Sequence, residues 1–158
     1  QPLAGKRVLL LGAGGAARGA LLPFLAAKPA ALMLVNRTVE KAHALARQFA
    51  GHGPIASGGY ADLADLRFAI VVNATSASLR GEMPPVPDSA IAGAGLAYEL
   101  AYGKGLTPFL SRARQQNAAR LADGVGMLVE QAAEAFAWWR GVRPGTARML
   151  TTLTIPLA

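Results

Sequence analysis

Val8-Leu9-Leu10-Leu11-Gly12-Ala13-Gly14-Gly15-Ala16-Ala17-Arg18 decides how this chain is read. Its four leading apolar residues form the short run expected of a strand buried on both faces of a parallel sheet. Gly12 breaks the run, and apolar residues then return at helical spacing as Ala17, Leu21, Leu22 and Leu25. Strand, glycine turn and helix together form the setting in which such glycines cradle a dinucleotide. Gly12 permits the tight turn, and Gly14 lets backbone approach a diphosphate with no side chain between. Ala17 is the small residue that allows close helix–strand packing. Amides at the helix start, with Ala13, Gly15 and Ala16, then face the phosphates at the positive end of the helix dipole. A glycine turn of this kind also serves a plain strand-to-helix connection, so the next strand carries the decision.

That strand, Ala31-Leu32-Met33-Leu34-Val35, ends in Asn36-Arg37-Thr38. A unit that prefers NAD places Asp or Glu here to accept hydrogen bonds from the adenosine ribose. This chain has Arg37, with Lys41 one helical turn on. A carboxylate repels a 2′-phosphate, whereas a guanidinium fork matches one with two parallel hydrogen bonds. Hydrogen bonds to charged groups contribute about 1.5–3 kcal/mol each. One such contact therefore means roughly a ten- to hundredfold preference for NADP. The alternative is that Arg37 and Lys41 are solvated surface charges.

The remaining composition narrows the classes. The 158 residues suffice for one domain with a real core, and 53% are hydrophobic. No run reaches membrane-spanning length and no secretory signal is visible. The absence of cysteine excludes disulfides and fits a reducing cytoplasm, the expected location. His43 and His52 fall on a helix and in a Gly-rich loop, so no metal site is expected. The net charge of +7 raises nucleic acid as a partner. The cations are scattered, however, without an aromatic-interleaved stripe or recognition helix, so neither nucleic acid nor membrane is expected as a partner.

Along the chain, Pro23 predicts a kink or early end to the first helix. Thr38 is placed to cap a second helix whose buried face is Ala42, Leu45, Ala46 and Phe49. Ile55-Ala56 is a poor strand candidate, and Tyr60 to Leu66 reads as a short helix. Phe68-Ala69-Ile70-Val71-Val72 is the next strand and leads into Asn73-Ala74-Thr75-Ser76, small polar residues of the type that line the ligand crevice of an open α/β sheet. They also suit an ordinary turn. Leu96 to Leu100 is a further strand, Thr107-Pro108 starts a helix running to about Gln116, and Arg120-Leu121-Ala122 is a short edge strand. A long helix opens at Asp123-Gly124, with Leu128, Ala132, Ala135, Phe136 and Trp139 on one face. The expected fold is α/β: a Rossmann-like, doubly wound, mostly parallel sheet with helices on both faces, plus a C-terminal helical segment.

In chain order, Gly12-Ala-Gly-Gly-Ala16, Asn36-Arg-Thr38 with Lys41, Asn73-Ala-Thr-Ser76, Tyr102-x-Lys-Gly-x-Thr-Pro108 and Ala122-Asp-Gly-x-Gly-Met-Leu-x-x-Gln131 together resemble the shikimate dehydrogenases. The last two motifs are the more specific. The resemblance covers nearly the whole chain and implies NADP(H)-dependent reduction of 3-dehydroshikimate to shikimate, a step of chorismate and aromatic amino-acid biosynthesis. It assigns the diphosphate to the glycine loop and the 2′-phosphate to Asn36, Arg37, Thr38 and Lys41. Leu100 and the backbone at Gly124 would touch the nicotinamide, and Tyr102 and Gln131 would reach the substrate. Read without the resemblance, Tyr102 is a half-buried tyrosine and Gln131 a helix-surface glutamine.

Glu99 stands where that family usually has aspartate, and Ala17 where serine is frequent. The family's catalytic lysine–aspartate pair lies in an N-terminal substrate domain. None of Lys6, Lys28, Lys41 and Lys104 matches a catalytic position. The expectation is an NADP-binding domain over 1–123 and a helical segment over 124–158 that would pack on the missing substrate domain, in a chain that cannot turn over alone. Substrate would bind only with that domain. The uncovered helix face would be met by a second copy, by the tail from Met149 to Ala158 or by other contacts. The alternatives are a stand-alone NADP-binding module and a quinate-acting relative; a methyltransferase is disfavoured by Arg37.

Overall fold

The computed structural model describes residues 2–103 and 105–157. Lys104, weighed above as a catalytic candidate, lies outside the described residues. Six strands form one sheet: β1 (Arg7–Leu11), β2 (Ala31–Val35), β3 (Ile55–Gly58), β4 (Ile70–Asn73), β5 (Leu96–Glu99) and β6 (Leu121–Ala122). Their order across the sheet is β3-β2-β1-β4-β5-β6, and every pairing is parallel.

Alternate residues of β1 point into two different cores, as the two-residue period of a strand requires. Val8 and Leu10 pack with Ala17, Leu21 and Leu25 of α1 (Gly15–Ala26) and with Ala42, Leu45 and Ala46 of α2 (Val39–Phe49). Leu9 and Leu11 pack on the opposite face, with Ala90 and Ile91 of α3 (Asp88–Ile91) and Phe109, Leu110 and Ala113 of α4 (Pro108–Gln115). A sheet covered on both faces explains why its central strands are unbroken apolar runs. The α4 start is as read: Thr107 Oγ1 accepts from Leu110 N at 3.3 Å, and Pro108 occupies the first turn.

Several local expectations are corrected. Ile55–Gly58 is a strand, because the open edge of β2 supplies partners that intrinsic propensity does not reveal. Tyr60–Leu63 forms only a single tight turn of 3₁₀ type and stops short of Leu66. The third strand of the sequence reading begins later, at Ile70, and extends to Asn73. Thr38 precedes α2 without a side-chain cap bond. Pro23 does not end α1, which runs to Ala26. Pro23 is exposed, so the carbonyl left without a donor one turn earlier, at exposed Gly19, can be hydrated instead.

The helix α5 (Val125–Arg140) buries Val125, Val129 and Ala133. Phe136 is exposed, and Trp138 and Trp139 are 89% and 79% exposed. A second helix, α6 (Ala147–Leu153), folds back beside it. Arg143 fixes the connection, donating to Glu134 at 2.9 Å and to Glu130 at 2.7 Å. No helix among the described residues is long and apolar enough to cross a membrane.

A proline inside a helix costs about 3 kcal/mol, while restoring an ordinary residue returns up to about 1 kcal/mol of unfolded-chain entropy. Pro23→Ala is therefore expected to stabilise the chain by about 2 kcal/mol, read as a higher urea midpoint. An unchanged or lower midpoint would show that the ring makes contacts that replace the lost bond.

Candidate functional site

β1 and β4 lie side by side, yet the chain leaves them toward different parts of the molecule, and a cleft opens at their C-terminal ends. Its volume is about 830 Å³, within the range of small-molecule sites. One wall is the glycine turn. Gly12 has φ +105°, and a Cβ there would meet the Ala74 carbonyl oxygen at 3.0 Å, so both conformation and space call for glycine. Its N–H donates to the Val35 carbonyl at 2.7 Å, tying the turn to β2. Nothing lies within 4 Å of a Cβ built at Gly14 or Gly15, so the first amides of α1 open onto bare space.

The second strand's end supplies charge. Asn36, Arg37, Thr38 and Lys41 line the same cleft as Gly12 to Ala16. Asn36 Nδ2 donates to the Thr38 carbonyl at 2.9 Å, which shapes the turn that presents Arg37. Among the described residues neither Arg37 nor Lys41 takes part in an ion pair. Burial raises the Tyr60 hydroxyl above its ordinary pKa, with the Arg37 charge opposing that rise. Across the opening, the Glu82 carboxyl is held below its usual range, first by the hydrogen bond from Arg80 and then by the charges of Arg80 and Arg37. Arg80 also donates to Ser76 Oγ at 3.0 Å, bracing the rim.

The far end of the cleft is walled by Thr75, Ser76, Leu79, Leu100, Ala101, Tyr102 and Met127. Beneath it lies a polar knot. Glu99 is fully buried and accepts from Asn73 Nδ2 at 2.9 Å, Thr107 Oγ1 at 3.2 Å, Ala101 N at 3.3 Å and the Ser78 hydroxyl. Burial pushes the Glu99 carboxyl above the usual carboxylate range, while the bonds from Ser78, Asn73, Ala101 and Thr107 pull the other way.

Of the residues singled out from sequence, Gly12, Ala13, Gly14, Gly15, Ala16, Asn36, Arg37, Thr38, Lys41, Thr75, Leu100 and Tyr102 share this one cleft. Asn73 sits below its floor, fully buried, and is tied to the cleft lining through Thr75 and through the Leu100 N–H that its carbonyl accepts at 2.9 Å. Gly124 packs against the Leu100 carbonyl and donates its N–H to Ala101 at 3.1 Å, so it supports the wall. Gln131 is exposed on α5 and is not part of the lining. Ala74 and Ser76 line the cleft as the Asn73–Ser76 reading expected, and Leu79, Ala101 and Met127 line it in addition. Ala74, Ser76 and Met127 lie within motifs quoted above, and Ala101 directly follows Leu100; only Leu79 carries no sequence signal.

A doubly wound parallel sheet with a bare glycine turn and exposed cations at its switch point defines the dinucleotide-binding class. The comparisons narrow this. Residues 1–80 match the family described as shikimate/quinate 5-dehydrogenase, and residues 124–154 match the shikimate 5′-dehydrogenase C-terminal domain. The chain belongs to the shikimate/quinate 5-dehydrogenase family. It is 58% identical over 155 residues to the NADP(+) shikimate dehydrogenase of Dechloromonas aromatica, an alignment covering 98% of this chain and 57% of that protein. The crystal structure of an Ael1 enzyme from Pseudomonas putida superposes with a TM-score of 0.95 at 61% identity, over 100% of this chain and 58% of that one. A shikimate dehydrogenase crystallised with NADP+ gives 0.76 at 30% identity, over 96% and 56%. The chain thus spans somewhat more than half the length of these relatives.

Because Glu99 has a raised pKa in the folded chain, the native state holds that proton more tightly than the unfolded one. The stabilisation is complete below the unfolded-state pKa and is lost as pH rises through the raised value. Urea unfolding of the wild type and Glu99→Gln across this range should show the stability difference moving against the wild type with rising pH. A difference independent of pH would contradict the burial argument.

Proposed function

We propose that this chain is the NADP(H)-binding part of a shikimate dehydrogenase that reduces 3-dehydroshikimate to shikimate. Arg37 and Lys41, in no ion pair among the described residues and on the same cleft as the bare Gly12–Gly15 turn, carry this reading. The amides of that turn hold the diphosphate, and Arg37, with Asn36, Thr38 and Lys41, grips the 2′-phosphate. Thr75, Leu100 and the wall behind it at Gly124 set the place of the nicotinamide. When bound, the dinucleotide supplies or accepts the hydride. Tyr102, at the open end of the cleft, faces the substrate, and Gln131 does so from α5 once a substrate-binding part is in place.

Carbonyl reduction also needs a proton at the developing alkoxide. In this reading the donor belongs to the length of the relatives that this chain does not span. The exposed Phe136 and Trp139 of α5 offer the seat for that part, and residues 124–158 form the helical segment that packs on it. The 158-residue chain with shikimate and NADP is expected to give no turnover, and measurable turnover would place the proton donor within it.

The cofactor reading is tested by titration with NADP and NAD, repeated on Arg37→Ala. NADP is expected to bind the wild type more tightly than NAD. The substitution should weaken NADP by roughly ten- to a hundredfold, the worth of one or more charged hydrogen bonds, and leave NAD nearly unchanged. Equal losses for both cofactors would remove Arg37 from the 2′-phosphate.

A further inference from the structure

We propose that Glu99 is a positioning residue whose carboxylate sets the direction of the Asn73 amide and thereby holds the Thr75 turn against the cofactor cleft. The proposal rests on reading that cleft as the NADP site. An asparagine side chain is two-ended, with a donor on one side and an acceptor on the other. Asn73 Oδ1 accepts from Thr75 N at 3.1 Å and from Thr75 Oγ1 at 2.7 Å, and Thr75 Oγ1 in turn accepts from Ala77 N at 3.3 Å. A backbone N–H only donates, so the Thr75 contact requires the amide oxygen to face the turn. The amide nitrogen must then face Glu99 Oε2, at 2.9 Å, and an ionised carboxylate there can do nothing but accept.

The rest of the knot points the same way. Thr107 Oγ1 already accepts from Leu110 N at 3.3 Å, which leaves its hydrogen for Glu99. Ala101 N, in the turn after β5, donates to Oε1 at 3.3 Å. One buried side chain therefore joins the turn after β4 to the turn after β5, and both turns line the cleft through Thr75 and Ala101. The shape of Glu99 matters less here than its having no donor.

Glutamine in place of Glu99 keeps the volume and removes that property. Directed at Asn73, its NH₂ meets another NH₂; turned over, it meets the Ala101 N–H. Either orientation sets donor against donor, unless Asn73 flips and releases Thr75. Replacing Asn73 by aspartate in the same chain restores complementarity. The introduced glutamine then donates to the introduced aspartate, which keeps accepting from Thr75, while the glutamine oxygen takes the Ala101 bond.

The test compares the wild-type chain, Glu99→Gln and the double variant Glu99→Gln/Asn73→Asp by NADP titration, and by the NMR shift of the Thr75 amide without cofactor. Glu99→Gln is expected to weaken NADP about tenfold and to move the Thr75 resonance, and the double variant should regain most of both. Wild-type affinity with an unmoved resonance in Glu99→Gln overturns the proposal. Should the single variant not fold, the double variant decides, and its failure to fold or to bind NADP also overturns it. A wild-type chain that binds no NADP defeats the cofactor reading, and the Thr75 resonance then decides the Glu99 role alone.

Discussion

Everything at the cleft depends on β1 being hydrogen-bonded along both edges, to β2 on one side and β4 on the other. Parallel strands need crossovers, and right-handed crossovers travelling in opposite directions across a sheet must run on opposite faces. The first half of the chain therefore covers the Val8–Leu10 face with α1 and α2. The second half covers the Leu9–Leu11 face with α3 and α4. Where the two halves part, no connection closes the ends of β1 and β4. The cleft is thus a consequence of topology before any side chain is chosen, and the residues after Leu11, Val35, Asn73 and Glu99 inherit positions around it.

This explains which features are legible in the sequence. Buried central strands must be apolar on both faces, so Val8–Leu11, Ala31–Val35 and Ile70–Val72 stand out as runs. Gly12 stands out because its φ and its approach to Ala74 leave no other choice. Edge strand β3 does not stand out, because Ile55-Ala-Ser-Gly58 is held by the partner edge rather than by its own composition. On α5 periodicity counts apolar residues on more than one side of the helix, and of these Val129 and Ala133 are buried while Phe136 and Trp139 are exposed. In the sequence Glu99 shows only as a departure from a family pattern. Two of its donors, Asn73 and Ser78, come from β4 and the turn after it, while Ala101 and Thr107 follow Glu99 along the chain, and no spacing rule brings the two groups together.

The cleft relies on different physics along its length. At the glycine turn the cleft offers main-chain amides, which cannot be mutated away and are fixed by the helix they begin. At Arg37 and Lys41 it offers charge, exposed and screened by salt, which in the proposed reading discriminates between cofactors. At Glu99 the charge is buried, carries a desolvation cost, and is surrounded by donors rather than by a cation. A group kept at such cost contributes less to stability than to uniqueness, because a network of fixed donors around one acceptor admits a single arrangement.

Helix α5 connects this arrangement to the apolar surface beyond it. Its first turn supplies Met127 to the cleft, and its N-terminal neighbour Gly124 rests on the Leu100 carbonyl. Its later turns expose Phe136, Trp138 and Trp139, with Phe136 on the groove it shares with Met149 and Leu153 of α6. An indole left in water forfeits the roughly 1.5–3 kcal/mol that burying a large apolar side chain returns. The helix that lends Met127 to the cleft wall at its start thus carries its large aromatics in solvent at its far end, so the cleft and the exposed apolar surface share one continuous hydrogen-bonded element.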